Sequence, residues 1–241
     1  MKIYYKNDSE VFIRNKKIKE ANAVFQTLDH FSGIDIVEAG ENFVLAEEKA
    51  EIEYSEFNNT MNQLFLNLIN QSEKIRNALK YNKKDITDDL LIGERLINQT
   101  SDFCLRILNT KGYEEFKKTN FMYEIADGLE SLGDHFFYLY KDTAKDSDFK
   151  LSNELLFRLN EYIEILKDFY LVFKNFSKKN YKELAEKIID LKIEFNKSYP
   201  YIKKEEIPAL LRLFAIINKL GELLEPLIGV HVEKIEIKKD K

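Results

Sequence analysis

The chain has 241 residues, with Lys plus Arg 37 against Asp plus Glu 42, and its net charge of -5 excludes an overall basic field that would hold it on nucleic acid or an anionic membrane. Only 8 glycines and 3 prolines interrupt a chain that is 44% hydrophobic and 33% charged, a balance that suits long amphipathic helices. Cys104 is the only cysteine, which excludes an internal disulfide and a thiolate zinc site and accords with a reducing cytoplasm.

The N-terminal stretch MKIYYKNDSEVFIRNKK has no uninterrupted apolar core of signal-peptide length, so a cytoplasmic protein is expected. Residues 1–52 read as a small α+β segment. Its β-type runs are KIYY, EVFIR, IDIV and FVLAE, set around a helix at about Lys16 to Phe31. The segments FSGID and AGEN supply turns after that helix, which predicts a β-hairpin packed on it.

Beyond Ser55 the apolar period becomes helical, and the pattern predicts six helices: three over 53–145, three over 146–228, then a C-terminal tail over 229–241. The first places Phe57, Met61, Leu64, Leu68, Ile75 and Ala78 on one face. The second, from about Asp85 to Leu108, turns Ile86, Leu90, Ile97 and Leu105 inward. The third carries Met122, Ile125, Leu129, Leu132, Phe136 and Leu139 in unbroken steps of three and four, the seam of bundle packing. The polar stretch TAKDSDFKLS then divides the helical region. The fourth helix carries Leu156, Leu159, Ile163, Leu166, Tyr170 and Phe173, and the fifth Tyr181, Leu184, Ile188, Leu191 and Phe195. The sixth follows Pro208, and Arg212, Asn218, Lys219, Glu222 and Glu225 break its apolar run well short of a membrane span.

Along the sixth helix Leu210, Leu213, Ile217, Leu220, Leu224 and Leu227 match the third-helix seam at an offset of 88 residues, and Gly221 falls on Gly133. A shared interior glycine in the same frame predicts a duplicated three-helix unit. The stretch DGLESLGD, residues 127–134, raises a second point, because each glycine costs a helix interior about 1 kcal/mol relative to alanine. Gly133 is expected to admit a close neighbour, whereas Gly128 has no counterpart and no assigned role.

Asp127, Glu130 and Asp134 form an acidic stripe beside the seam, and Asn98 and Asp102 repeat the four-residue spacing on the second helix. If these helices pack side by side, Asp102, Glu130 and Asp134 converge with Asn98 as a neutral oxygen donor, a set that favours Mg²⁺, Mn²⁺, Ca²⁺ or iron. Solvent-exposed acids at the same spacing cost little and stand as the alternative. His135 points about 100° away from Asp134, toward the surface or a place behind the acidic residues. Phe136 lies on the seam, while Phe137 and Tyr138 would form its edge or a subunit contact, which leaves a homodimer open.

The stretch YEIADGLESLGDHFFYL, residues 123–139, resembles the signature helix of the PhoU family of phosphate-uptake regulators, roughly L-E-R-I-G/A-D-H. Leu129, Glu130, Gly133, Asp134 and His135 stand in matching places, and Ser131 replaces the usual arginine. AVFQTLDHFSGIDIVEAGENFVL is similar to the small α+β segment of archaeal-type members. The resemblance implies a mainly α fold of two three-helix repeats preceded by a small α+β segment. It also implies a multinuclear iron or zinc cluster at the motif, or another divalent cation, on Asp102, Glu130, Asp134, Asn98 and Asp127, with Asn98 standing where the family carries an aspartate. The implied partners are components of a phosphate transporter and, where one exists, a sensor kinase. Archaeal-type members often begin with a swapped-hairpin DNA-binding domain, which Met1 to Lys17 does not resemble, so no nucleic-acid partner is expected.

In the second repeat Asn218 and Glu222 occupy the places of Glu130 and Asp134, and Lys192 and Asn196 those of Asn98 and Asp102. With most carboxylates gone, at most one metal site is expected, in the first repeat, and Lys192 would stand opposite Glu222 as a built-in cation. No nucleophile, base and acid arrangement is visible around His30, His135 or His231, and no Glu-x-x-His pair marks a carboxylate-bridged metal enzyme, so catalysis is not expected. A helix-bundle carboxylate metal protein or enzyme, and a purely structural interaction bundle, are the alternatives.

Overall fold

Alternating β-branched and aromatic residues near the N-terminus give four strands: β1 (Lys2–Asn7), β2 (Glu10–Arg14), β3 (Ile34–Gly40) and β4 (Phe43–Glu48). The computed structural model describes residues 2–7, 10–14, 34–40, 43–48, 54–83, 86–144, 150–198 and 203–234. The strands form one antiparallel sheet in the order β1-β2-β4-β3. The expected hairpin is β3–β4, with Gly40 opposite Phe43 and a register shift between Ile36 and Glu38. The helix expected at 16–31 lies outside the described residues.

Six long helices follow: α1 (Phe57–Tyr81), α2 (Thr87–Thr110), α3 (Thr119–Ala144), α4 (Asn153–Lys174), α5 (Lys178–Ser198) and α6 (Ile207–Glu222). A short helix, α7 (Leu224–Val230), continues from α6. Two layers result. One is built of α2, α3, α6 and α5, each packed on the next, and the other of α1 and α4, which pack on each other and close the core from behind. The core is one continuous apolar cluster, with Leu68, Leu129, Phe136, Tyr162, Phe169, Leu213 and Ile217 all fully buried.

The chain turns at positions that tolerate left-handed backbone. Asn82 ends α1 at φ 50, and Gly112 follows α2 at φ 73. Ser152 caps α4 by accepting from the Leu155 backbone N–H, and the buried carboxylate of Glu206 accepts from the Ser152 N–H at 2.8 Å, which ties the α5–α6 connection to the start of α4.

Every residue expected inward on α1 and α3 is buried. On α2 the expected face drifts: Leu105 and Ile86 are half-exposed, and the core takes Ser101, Cys104, Ile107 and Leu108 instead. True 3.6-residue steps from Ile97 pass through two small residues that carry no hydrophobic bulk to mark the frame. On α4 the buried arc is wider than the expected stripe and shifted toward Leu155, Tyr162, Phe169 and Val172, because α1, α5 and α6 all pack on it. The sixth helix is not continuous. Pro226 has no N–H to offer the Glu222 carbonyl, so the helix breaks at Leu223, and Leu223 is buried while Leu224 of the expected seam is half-exposed. Among the described residues no helix is long and apolar enough to cross a membrane.

Candidate functional site

Two contacts bring α2 against α3. The Ser101 hydroxyl donates to the Ala126 carbonyl at 3.1 Å, and Ile97 fills the notch at Gly133, where an added Cβ would stand 3.1 Å from Ile97 Cγ2. Asn98 and Asp102 each follow one of these contact residues, so they emerge on the outward flank of the joint, beside the acidic stripe of α3. The close approach expected at Gly133 is therefore the approach of α2.

On that flank Glu130 is the most perturbed group. Its carboxyl is pushed up to about 7, first by burial and then by the charges of Asp134, Asp127, Asp102 and Glu94. The Asp134 carboxyl is also raised by burial, against the opposing pull of His135 and Arg212. Asp127 is exposed, and the Asn98 amide donates to Glu94 Oε1 at 2.9 Å. The expected residues thus share one flank, and Glu94 joins them. Its position four residues before Asn98 was the signal available in the sequence.

Proximity of charge is not coordination. Among the described residues no three His, Cys, Asp or Glu side chains stand at a spacing that would grip a metal ion. The all-oxygen donor set suits a hard cation.

The corresponding flank of α5 and α6 has a different chemistry. Gly221 is covered by Lys192 and Ile188 of α5, as Gly133 is covered by α2. Glu222 takes its cation from Lys219, at 2.7 Å, and not from Lys192. Lys219 lies three residues back on the same face of α6, while the end of the Lys192 side chain is occupied over Gly221. The side chain of Asn196 lies outside the described residues.

Between the two flanks runs the joint of α3 with α6. His135 faces this joint and not open solvent: burial and Arg212 lower its pKa, with Lys219 and Glu222 also in range. Arg212 donates from Nε to Asp142 Oδ2 at 3.1 Å and lies 5.0 Å from the centre of the Tyr138 ring. Nothing in the local sequence pattern pairs Arg212 with residues 70 positions away. Gly128, which the sequence left without a role, receives the side chain of Leu223 at the α6–α7 break. Phe137 is buried, and Tyr138 is partly exposed beneath Arg212 and Lys141.

Elsewhere the reactive side chains are sequestered. Burial pushes the Cys104 thiol up to about 12, which removes its nucleophilic form at neutral pH. His231 stacks on Phe176 at 4.6 Å and meets the Phe173 carbonyl at 3.1 Å.

The helices define a class of protein: a mainly helical, two-layer bundle. Among solved structures, the chain is similar to the phosphate transport system regulatory protein PhoU from Streptococcus pneumoniae, with a TM-score of 0.59 and 15% sequence identity over 78% of this chain and 99% of that one. The fold is PhoU-like. No family model matches the sequence, and no curated protein does.

Proposed function

We propose that the protein is a PhoU-like regulator of phosphate uptake that acts by binding other proteins and carries out no catalysis of its own. The observation that carries this reading is the likeness of its helical architecture to nearly the whole of a phosphate transport regulator. The acidic flank and the sequestered Cys104 are in keeping with a binding role. In this reading the partners are components of a phosphate transporter and a sensor kinase, the setting is the cytoplasm, and residues 1–52 form an α+β segment ahead of the bundle. Removing the gene and measuring labelled phosphate uptake in phosphate-rich medium tests it. Uptake should rise above that of the parent strain and fall again on complementation; unchanged uptake would defeat the reading.

The crowding at Glu130 favours a second reading of the same flank, in which a divalent cation is held by Asp102, Glu130 and Asp134, with Asn98 and Asp127 at its edge. Such a cation would offset the mutual repulsion of the carboxylates. Protein purified without chelator should contain a divalent metal that Asp134→Asn loses. Equal metal content in the two proteins removes the site.

A further inference from the structure

The outer layer runs α2-α3-α6-α5, and its two halves present different chemistry to solvent. On the α5–α6 half, Ile189 and Ile193 are 53% and 47% exposed, and Leu211 and Phe214 are 55% and 37% exposed. Helix geometry places these four on one outward stretch of the α5–α6 pair. Lys187 and Glu194 of α5 pair with Asp168 and Arg158 of α4, and Ile188 and Lys192 cover Gly221 of α6, which fixes the two buried sides of α5. Ile189 and Ile193 lie beyond the second of these, on the outward flank next to α6. Phe214 stacks on Phe195 of α5 at 5.2 Å between ring centres, and Leu211, one turn earlier, points out of the layer. Isolated exposed apolar residues are ordinary, but four large ones on one pair of helices mark an interaction surface.

The α2–α3 half supplies the second feature. Asp127, Glu130 and Asp134 form no ion pair among the described residues, and Glu94 and Asp102 stand near them. Between the halves, Arg212 and Lys219 are each engaged with a carboxylate, Asp142 and Glu222 respectively, and of the two only Arg212 also acts on the acidic side, at Asp134. The α5–α6 half therefore presents the four-residue apolar patch, while the α2–α3 half carries the carboxylates alongside exposed Leu91, Ile92 and Leu96 of α2.

We propose that this layer is a docking surface for a basic amphipathic helix of a partner protein, whose apolar stripe seats on Ile189, Ile193, Leu211 and Phe214 and whose lysines or arginines reach the carboxylates of α3. The charge of the second half selects the partner: an acidic helix with the same apolar stripe would meet repulsion along α3, and a purely apolar one would leave those carboxylates unmatched. The proposal shares with the regulatory reading only the need for a protein partner. The uptake assay and the binding test below can fail separately.

The test uses the whole protein and two labelled 18-residue synthetic helices of identical apolar pattern, one leucine–lysine and one leucine–glutamate, with binding read by fluorescence anisotropy. The leucine–lysine helix should bind in a salt-dependent manner and the leucine–glutamate helix at least ten-fold more weakly. Ile193→Ser with Phe214→Ser should weaken binding at least ten-fold, and Ile189→Ser alone should weaken it to a smaller degree at a position that takes little part in folding. Asp127→Asn with Asp134→Asn should weaken it several-fold and flatten the salt dependence, while Asp88→Asn with Asp89→Asn on the far end of α2 leaves it unchanged. Equal binding of both helices, wild-type affinity in the apolar variants, or an equal loss in the Asp88 and Asp89 variant would overturn the proposal. So would a wild-type dimer that Ile193→Ser with Phe214→Ser converts to a monomer, since the patch would then belong to a second copy.

Discussion

Burial and neighbouring carboxylates push the Glu130 carboxyl up to about 7, and this has a defined sign in stability. Its carboxyl rises from 4.5 to about 7 on folding, so the folded state binds the proton more tightly than the unfolded state. The group leaves stability undiminished below pH 4.5 and takes it away as the pH climbs through about 7, where the carboxylate must ionise among its neighbours. Glu130→Gln should therefore match the wild type near about pH 4 and exceed it by roughly 1–2 kcal/mol near about pH 8, a figure reduced for solvent screening at this partly exposed site. Urea unfolding at the two pH values checks it, and a pH-independent difference would assign the effect to packing. The two glycines of α3 differ in a similar testable way. Alanine at Gly133 would press on Ile97, which has only to shift slightly, whereas alanine at Gly128 would meet Leu223, itself buried. Gly133→Ala should be close to neutral once helix propensity adds its ~1 kcal/mol, and Gly128→Ala should destabilise by about 1–3 kcal/mol. Adding Leu223→Ala to Gly128→Ala should recover part of that loss in thermal unfolding; no recovery would mean that Leu223 is not the obstacle.

At the scale of elements, the α1–α2 contact contains a misfit. Gln71 is 2% exposed, its Nε2 has no hydrogen-bond partner, and its amide oxygen lies against Gly93. A buried donor left unmade costs more than an apolar group of similar volume, so Gln71→Leu should raise stability by about 1 kcal/mol, read as a higher urea midpoint at unchanged slope. The reading of each element from sequence tracks how much bulk marks its frame. α3 was legible to the residue because large side chains occupy every third or fourth position. The frame of α2 slipped at Ser101 and Cys104, where hydroxyl and thiol are small and the hydroxyl is satisfied from α3. The break after α6 was legible in Pro226 but hidden by a seam that continued in register through it. At the acidic flank, spacing alone indicated Asn98, Asp102, Glu130 and Asp134, because each pair lies on one helix. Arg212 was not legible, since it reaches the flank from α6 and only the packed layers bring it there.

At the scale of the whole molecule, the layers tie α1–α3 and α4–α6 into one body. The α3–α6 and α1–α4 contacts share a single apolar cluster, which predicts one unfolding transition with coincident helix and aromatic signals and no separately melting half. Arg212 and Asp142 cross this boundary in partly buried surroundings, and a double-mutant cycle of Arg212→Met with Asp142→Asn should return a coupling of about 1 kcal/mol. A coupling near zero would assign the cohesion of the halves to apolar contact alone.

The contact of Leu223 with Gly128 also breaks the 88-residue correspondence between the two halves of the sequence. Under the offset that relates the repeats, the reciprocal positions are His135 and Ile216, so the opposite contact has neither a wedge nor a notch. A chain assembled from two first repeats would carry two notches and no wedge, and one assembled from two second repeats would carry two wedges with nowhere to seat them. The halves share a seam in sequence yet are not interchangeable: one missing side chain on α3 and one helix break after α6 distinguish them.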